Sequence, residues 1–122
     1  MKIGFVEGGR GKKDVDGKLR LDLLPPEAML EIGKVYTDGC KRYGARNWEQ
    51  GIPTEEAIAA LERHVLRYKL GQTVCKDGSL EMGHVAFWAM ALISQYYRNI
   101  SDGNVFATRG LDEDLIKDFL ES

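Results

Sequence analysis

The stretch LEMGHVAFWAMALISQYY, Leu80 to Tyr97, decides the fold. It is long enough for roughly four or five helical turns, contains no proline and is apolar on nearly every side, so it reads as a helix in the middle of a domain. Such a helix should carry no polar residue without a reason. Glu81 and His84 nevertheless stand three apart on one face, and Trp88 and Gln95 continue that face at helical spacing. The fold therefore has to supply partners for them.

Upstream, Pro25 and Pro26 open another helix, because proline is tolerated in a first turn, and Glu27 places negative charge near its N-terminus. Its expected apolar stripe is Met29, Ile32, Tyr36, Cys40 and Tyr43, and it should stop at Gly44. Glu27, Glu31, Lys34 and Asp38 run down the opposite face, where two readings stay open. Lys34 pairs with Glu31 and Asp38 as a solvated ladder, or the carboxylates face a site. After the loop GARNWEQGIPT (44–54), Thr54 is the expected N-cap of a helix whose buried stripe is Ala57, Leu61, Val65 and Tyr68, with His64 beside it. A lone histidine on such a face is more often a hydrogen-bonded core residue than a ligand.

Gly71 closes that helix, and Gln72 to Ser79 is a turn-forming connection with Asp77-Gly78 at its tip, where Asp77 could simply cap the next helix. Beyond Tyr97 a polar loop with a short extended piece at Val105 to Ala107 leads to an amphipathic helix marked by Leu111, Leu115, Ile116, Phe119 and Leu120. The pattern predicts a single all-α domain over 1–122, a four-helix bundle with helices at 24–44, 55–70, 80–98 and 111–121. An extended N-terminal arm over 1–18 carries a short strand at Ile3 to Val6. Gly8-Gly9-Arg10-Gly11-Lys12-Lys13 in that arm lacks the glycine spacing, the Ser or Thr after lysine and the following helix of a phosphate-binding loop, and reads as a basic loop.

Composition narrows the function classes. With 122 residues the chain buries one core, and a net charge of −2 with mixed signs argues against a nucleic-acid polymer as partner and against a membrane-binding face. Cys40 and Cys75 form no metal-binding or redox pattern and read as free thiols in a reducing cytoplasm. The N-terminus shows no secretory apolar region, so the expected location is cytoplasmic, the host cytoplasm if a phage encodes the chain.

Two constellations carry chemistry. In helical bundles, metal sites are built from inward-facing side chains, often a carboxylate and a histidine three residues apart, as in Glu81 and His84. Carboxylates suit Mg²⁺ or Mn²⁺, and an imidazole tilts the choice toward Mn²⁺. The alternatives are a buried Glu–His hydrogen-bonded pair or a polar patch at a subunit interface. The second constellation brackets the first helix: Lys18, Arg20 and Asp22 before it, and Lys41, Arg42, Tyr43, Arg46, Asn47 and Trp48 at its end. Cations for phosphates, an aromatic ring for stacking and an amide for a base edge fit a nucleotide better than a sugar or a peptide. Surface cations and a Trp capping the core are the plain alternative.

The segments GKLRLDLLPPEA (17–28), YGARNW (43–48) and Arg63-His64 together resemble the small MazG-like dATP/dGTP diphosphohydrolases of phages, the MazZ type among them. The resemblance runs from about Gly17 to Leu92. It implies an all-α nucleoside triphosphate pyrophosphohydrolase that uses Mg²⁺ or Mn²⁺ to split a purine dNTP, dGTP or dATP, into the monophosphate and pyrophosphate. In the wider superfamily the metal site uses E-x-x-E on one helix and E-x-x-D on the next. Glu81-x-x-His84 would stand for the latter, the former has no clear copy, and close relatives often show H-x-x-H at this place. The resemblance thus implies Glu31 and Glu81 as catalytic carboxylates, and Glu31, Asp77, Glu81 and His84 as metal ligands. His64 would be a ligand or a support. Lys18, Arg20 and Lys41 would serve the phosphates, with Asp22 and Arg46 near them and Asn47 and Trp48 near the base.

A non-catalytic helical module that binds a nucleotide or a partner through the same loop is the competing class. An HD-type phosphohydrolase would need a His-Asp dipeptide, which the chain does not contain. The central helix is apolar on more sides than one small bundle covers, so the half from Phe87 to Tyr97 is expected at the interface of a homo-oligomer, dimer or tetramer.

Overall fold

The structure, a computed structural model, describes residues 17–106 and 112–122. The expected strand at Ile3 to Val6, the Gly8–Lys13 loop, most of the arm, Ala107 and Leu111 lie outside the described residues. Among the described residues the chain forms four α-helices and no strand: α1 (Pro26–Tyr43), α2 (Thr54–Lys69), α3 (Glu81–Tyr97) and α4 (Glu113–Leu120). Short 3₁₀ turns at Leu21–Leu23 and Asn47–Gln50 precede α1 and α2. None of these helices is long and apolar enough to cross a membrane.

Pro26 occupies the first position of α1, and Gly44 ends it with φ +90, a conformation costly for any residue with a side chain, while its N–H reaches the Cys40 carbonyl at 2.9 Å. The start of α2 corrects an expectation. Thr54 is the first helical residue and Pro53 the cap position, and both the Thr54 amide (3.1 Å) and its hydroxyl bond to Asp102, beyond the end of α3. A carboxylate supplied from a distant loop thus satisfies a donor that the local sequence leaves open.

Helix α3 packs on both α1 and α2. Small residues set the approach: Ala57 and Ala60 of α2 and Ala91 of α3 are buried, and on the α1 side Gly83 lies under Val35, where an added Cβ would stand 3.4 Å from the valine methyl. Tyr36 and Phe87 extend this seam with ring centroids 4.6 Å apart.

The expected stripes hold at Ile32, Tyr36, Ala57, Leu61 and Val65, which are buried or half-buried, and fail at their ends. Val35 rather than Cys40 or Tyr43 faces the core of α1, Met29 is exposed, and Ala60 displaces Tyr68 on α2. Large apolar residues drew the expected stripe, whereas close helix contact falls where the side chains are small.

Helices α1 and α2 cover only one side of α3, so Met90, Ile93, Tyr96 and Tyr97 are exposed, as are Leu115, Phe119 and Leu120 of α4. Asp112 caps α4, accepting from the Leu115 amide at 2.9 Å. Val105 and Phe106 form a turn rather than an extended piece.

Candidate active site

The polar face of α3 finds its partners in three places. Furthest along, Gln95 is fully buried and clamps the loop before α2: the Ile52 amide donates to its Oε1 at 2.6 Å, and its Nε2 donates to the Ile52 carbonyl at 3.2 Å. This two-point contact holds the segment that carries Asn47 and Trp48. The outer face of Trp48 is covered by the Arg98 guanidinium, 4.7 Å from the ring centroid, and Arg98 also pairs with Glu49 at 2.7 Å.

At the start of α3 the connection 71–80 folds back on itself. Gly71 and Gly78 take positive φ, Val74 and Leu80 form an antiparallel bridge, and the amides of Cys75 and Glu81 reach the carbonyls of Ser79 (2.7 Å) and Thr73 (3.0 Å). Closing this small hairpin brings Gln72, Cys75, Asp77 and Ser79 beside Glu81 and His84. Glu81 is fully buried. Its Oε2 lies 2.6 Å from His64 Nδ1 and its Oε1 accepts from Gln72 Nε2 at 2.8 Å, with the Cys75 thiol as a further donor. The His64 and His84 rings stack at 4.4 Å, nearly parallel, and His84 Nε2 meets the Ser79 hydroxyl at 2.8 Å. Ser79 in turn donates its hydroxyl (2.5 Å) and its amide (3.0 Å) to Asp77 Oδ1.

The electrostatics follow from these contacts. Burial alone would raise the Glu81 carboxyl, but hydrogen bonds from His64, Cys75 and Gln72 outweigh it and hold the group below the usual carboxylate range. Burial pushes His84 down, with the neighbouring His64 acting in the same sense, so His84 favours the neutral form. The Ser79 hydroxyl and amide keep Asp77 ionised to lower pH, and burial together with the bond to Glu81 pushes the Cys75 thiol up. Each buried side-chain nitrogen and oxygen among the described residues has a partner.

These groups form one wall of an open cleft of about 880 Å³. The other walls are basic, from Arg42, Arg46, Arg63, Arg67 and Lys76, and aromatic, from Tyr36, Trp48, Phe87 and Trp88. Arg42 lies 3.6 Å from Asp77 and Arg67 3.5 Å from His64 Nδ1, whereas Arg63 and Lys76 make no ion pair among the described residues.

Of the residues singled out in the sequence, Arg42, Tyr43, Arg46, Asn47, Trp48, His64, Asp77, Glu81, His84 and Trp88 line this cleft. The remaining ones stand apart. Glu31 pairs with Lys34 at 2.7 Å and lines no part of it. Lys41 borders a separate hollow between α1 and the 77–79 turn. Lys18 is exposed, and Arg20 and Asp22 grip each other through two 2.8 Å contacts at the surface.

Gln72, Cys75, Arg67 and Lys76 are cleft residues that the sequence reading missed. The available signal was the distance of Cys75 and Asp77 from Glu81 and His84, a short turn ahead of an i,i+3 pair.

The donors in the cleft suit a divalent ion. His64, Cys75 and Glu81 each offer a ligand atom within 4.8 Å of the others, and so do Cys75, Asp77 and His84. Imidazole, carboxylate and thiol are the donor types of divalent metal sites.

Comparison with known proteins points one way. The family model described as "dATP/dGTP diphosphohydrolase, N-terminal" matches residues 8–102. A curated dATP/dGTP diphosphohydrolase of Salmonella phage PMBT28 is 34% identical over 83 residues, which is 68% of this chain and 28% of that relative. The chain therefore matches little more than a quarter of the relative's length. No solved structure matches the chain.

Proposed function

The chain belongs to the dATP/dGTP diphosphohydrolase family, and from that premise we propose that the cleft hydrolyses a purine deoxynucleoside triphosphate to the monophosphate and pyrophosphate with the aid of Mg²⁺ or Mn²⁺. One observation carries the reading. The cleft brings a buried carboxylate–histidine pair, five basic side chains and a Trp–Asn loop into one volume of about 880 Å³, of the size that small-molecule sites occupy.

Each wall has a task. Arg63, Arg67 and Lys76 face the cleft and would hold phosphate oxygens, with Arg46 at the loop end. Trp48 and Asn47 would meet the base, and Gln95 fixes their loop through Ile52. Glu81 holds His64 through Nδ1, which fixes the tautomer and leaves Nε2 to take the proton of the attacking water. Asp77 and His84, whose ligand atoms lie within 4.8 Å of each other, would hold the ion. When bound, the ion supplies charge neutralisation on the triphosphate and lowers the pKa of water. Glu31, paired with Lys34 outside the cleft, has no task in this arrangement.

In this reading the chain acts in the cytoplasm of a phage-infected cell, draws down dGTP or dATP, and yields a monophosphate for diaminopurine nucleotide synthesis. The exposed Ile93, Tyr96 and Tyr97 on α3 are the surface through which copies of the chain would assemble. The direct test is pyrophosphate release from all dNTPs and rNTPs with Mg²⁺ or Mn²⁺. Release confined to purine substrates supports the reading, and none from any nucleotide overturns it.

A further inference from the structure

We propose that Cys75 is a metal ligand of the cleft, and that its sulfur makes the site prefer a borderline ion of the Zn²⁺ or Co²⁺ kind over Mg²⁺. The inference rests on the reading above that the cleft binds a divalent ion, and goes beyond it in naming a ligand and a selectivity.

The geometry points to Cys75 because it is common to both ligand groups. Whether an ion settles between His64, Cys75 and Glu81 or between Cys75, Asp77 and His84, it meets the same sulfur. Nor is the residue loosely placed. Its amide donates to the Ser79 carbonyl at 2.7 Å and its carbonyl accepts from the Gly78 amide at 3.0 Å, so the hairpin fixes the backbone on both sides. The side chain is half-buried at the cleft wall, in contact with the buried Glu81 carboxylate. Cys40, by contrast, is exposed on α1 and belongs to neither group.

The chemistry of the donors gives the selectivity. Mg²⁺ demands hard oxygen ligands in near-octahedral geometry and sheds water reluctantly, and Mn²⁺ also favours oxygen, whereas sulfur and imidazole donors suit Zn²⁺ and Co²⁺. On binding, the Cys75 S–H bond breaks and a sulfur–metal bond forms. The proton leaves through Glu81, which already accepts it in a hydrogen bond, or directly to solvent.

Co²⁺ titration of the full chain tests this by absorbance, independently of turnover. The wild-type protein should develop a near-ultraviolet thiolate-to-cobalt charge-transfer band that saturates at stoichiometric metal. Equimolar Zn²⁺ should erase it, and a large excess of Mg²⁺ should leave it. Cys75→Ser should lose the band and Cys40→Ser should keep it. Cys75→Ser should also bind Zn²⁺ more weakly by at least the roughly 10- to 100-fold that loss of an outer-shell partner costs.

Cobalt d–d absorption without the thiolate band in wild-type protein overturns the proposal, whatever the variants do. So does a band that survives in Cys75→Ser. Pyrophosphate release from a chain without the band would sink this inference and leave the hydrolase reading standing, while a band without release would do the reverse.

Discussion

Gln95 offers the most informative perturbation, because the link between fold and cleft runs through one side chain. Gln95→Leu keeps most of the volume and removes both bonds to Ile52, the 2.6 Å acceptance and the 3.2 Å donation. A buried polar group left without a partner costs about 1–3 kcal/mol. Ile52 is only partly buried, so water reaches the stranded pair in part and the low end of that range, about 1–1.5 kcal/mol, applies to each group, about 2–3 kcal/mol together. For a domain of this size that corresponds to a fall in Tm of about 8–12 °C.

The same change frees the loop bearing Asn47 and Trp48, so KM for the purine nucleotide should rise several-fold while kcat changes less. Thermal unfolding by circular dichroism and steady-state pyrophosphate release measure the two effects. A variant that melts within about 2 °C of wild type, with KM unchanged, would refute the reasoning.

Glu81→Gln places an amide donor against His64 and Gln72 and should abolish detectable turnover, whereas Glu31→Gln, lying outside the cleft, should leave turnover within about twofold by the same assay. Gly83→Leu should destabilise by about 1–3 kcal/mol in urea unfolding, because the added side chain drives Val35 and α1 away from α3.

Stability should fall with acidification in two stages. His84 is depressed below its ordinary 6.5, so the unfolded chain takes up the proton first and stability begins to drop as pH passes below 6.5. Glu81 is depressed below 4.5, so its contribution is present above that pH and is lost as pH falls through its folded value. Urea midpoints from about pH 2 to 8 follow this, and His84→Asn should remove the upper stage. Finally, light scattering should give a mass above one chain, with Ile93→Lys shifting it toward the monomer, since Ile93 is exposed on the uncovered side of α3.

The all-helical fold was legible in the sequence because apolar periodicity, Pro25-Pro26 and Gly44 act locally and each fixes a helix or its end. Depth was less legible. Periodicity found Ala57, but it weights large apolar side chains, and Gly83, Ala60 and Ala91 also decide where helices touch, so Tyr43 and Tyr68 are exposed and Val35 is buried.

In the cleft, the polar residues on the face of α3 announced themselves by being out of place. Their partners did not, since Gln72 and Cys75 reach Glu81 only because a hairpin closes over two glycines with positive φ. Asp102 at the start of α2 is the same kind of contact, made across 48 residues and invisible to any local window.

Turnover of purine deoxynucleoside triphosphates in this cleft is tested by product analysis of dGTP and dATP incubated with purified protein and Mn²⁺ or Mg²⁺, resolving mono-, di- and triphosphate. Monophosphate and pyrophosphate should form in equal amounts, and both should be lost in Glu81→Gln. Binding of either nucleotide without products, or diphosphate and inorganic phosphate in place of pyrophosphate, would contradict the pyrophosphohydrolase reading.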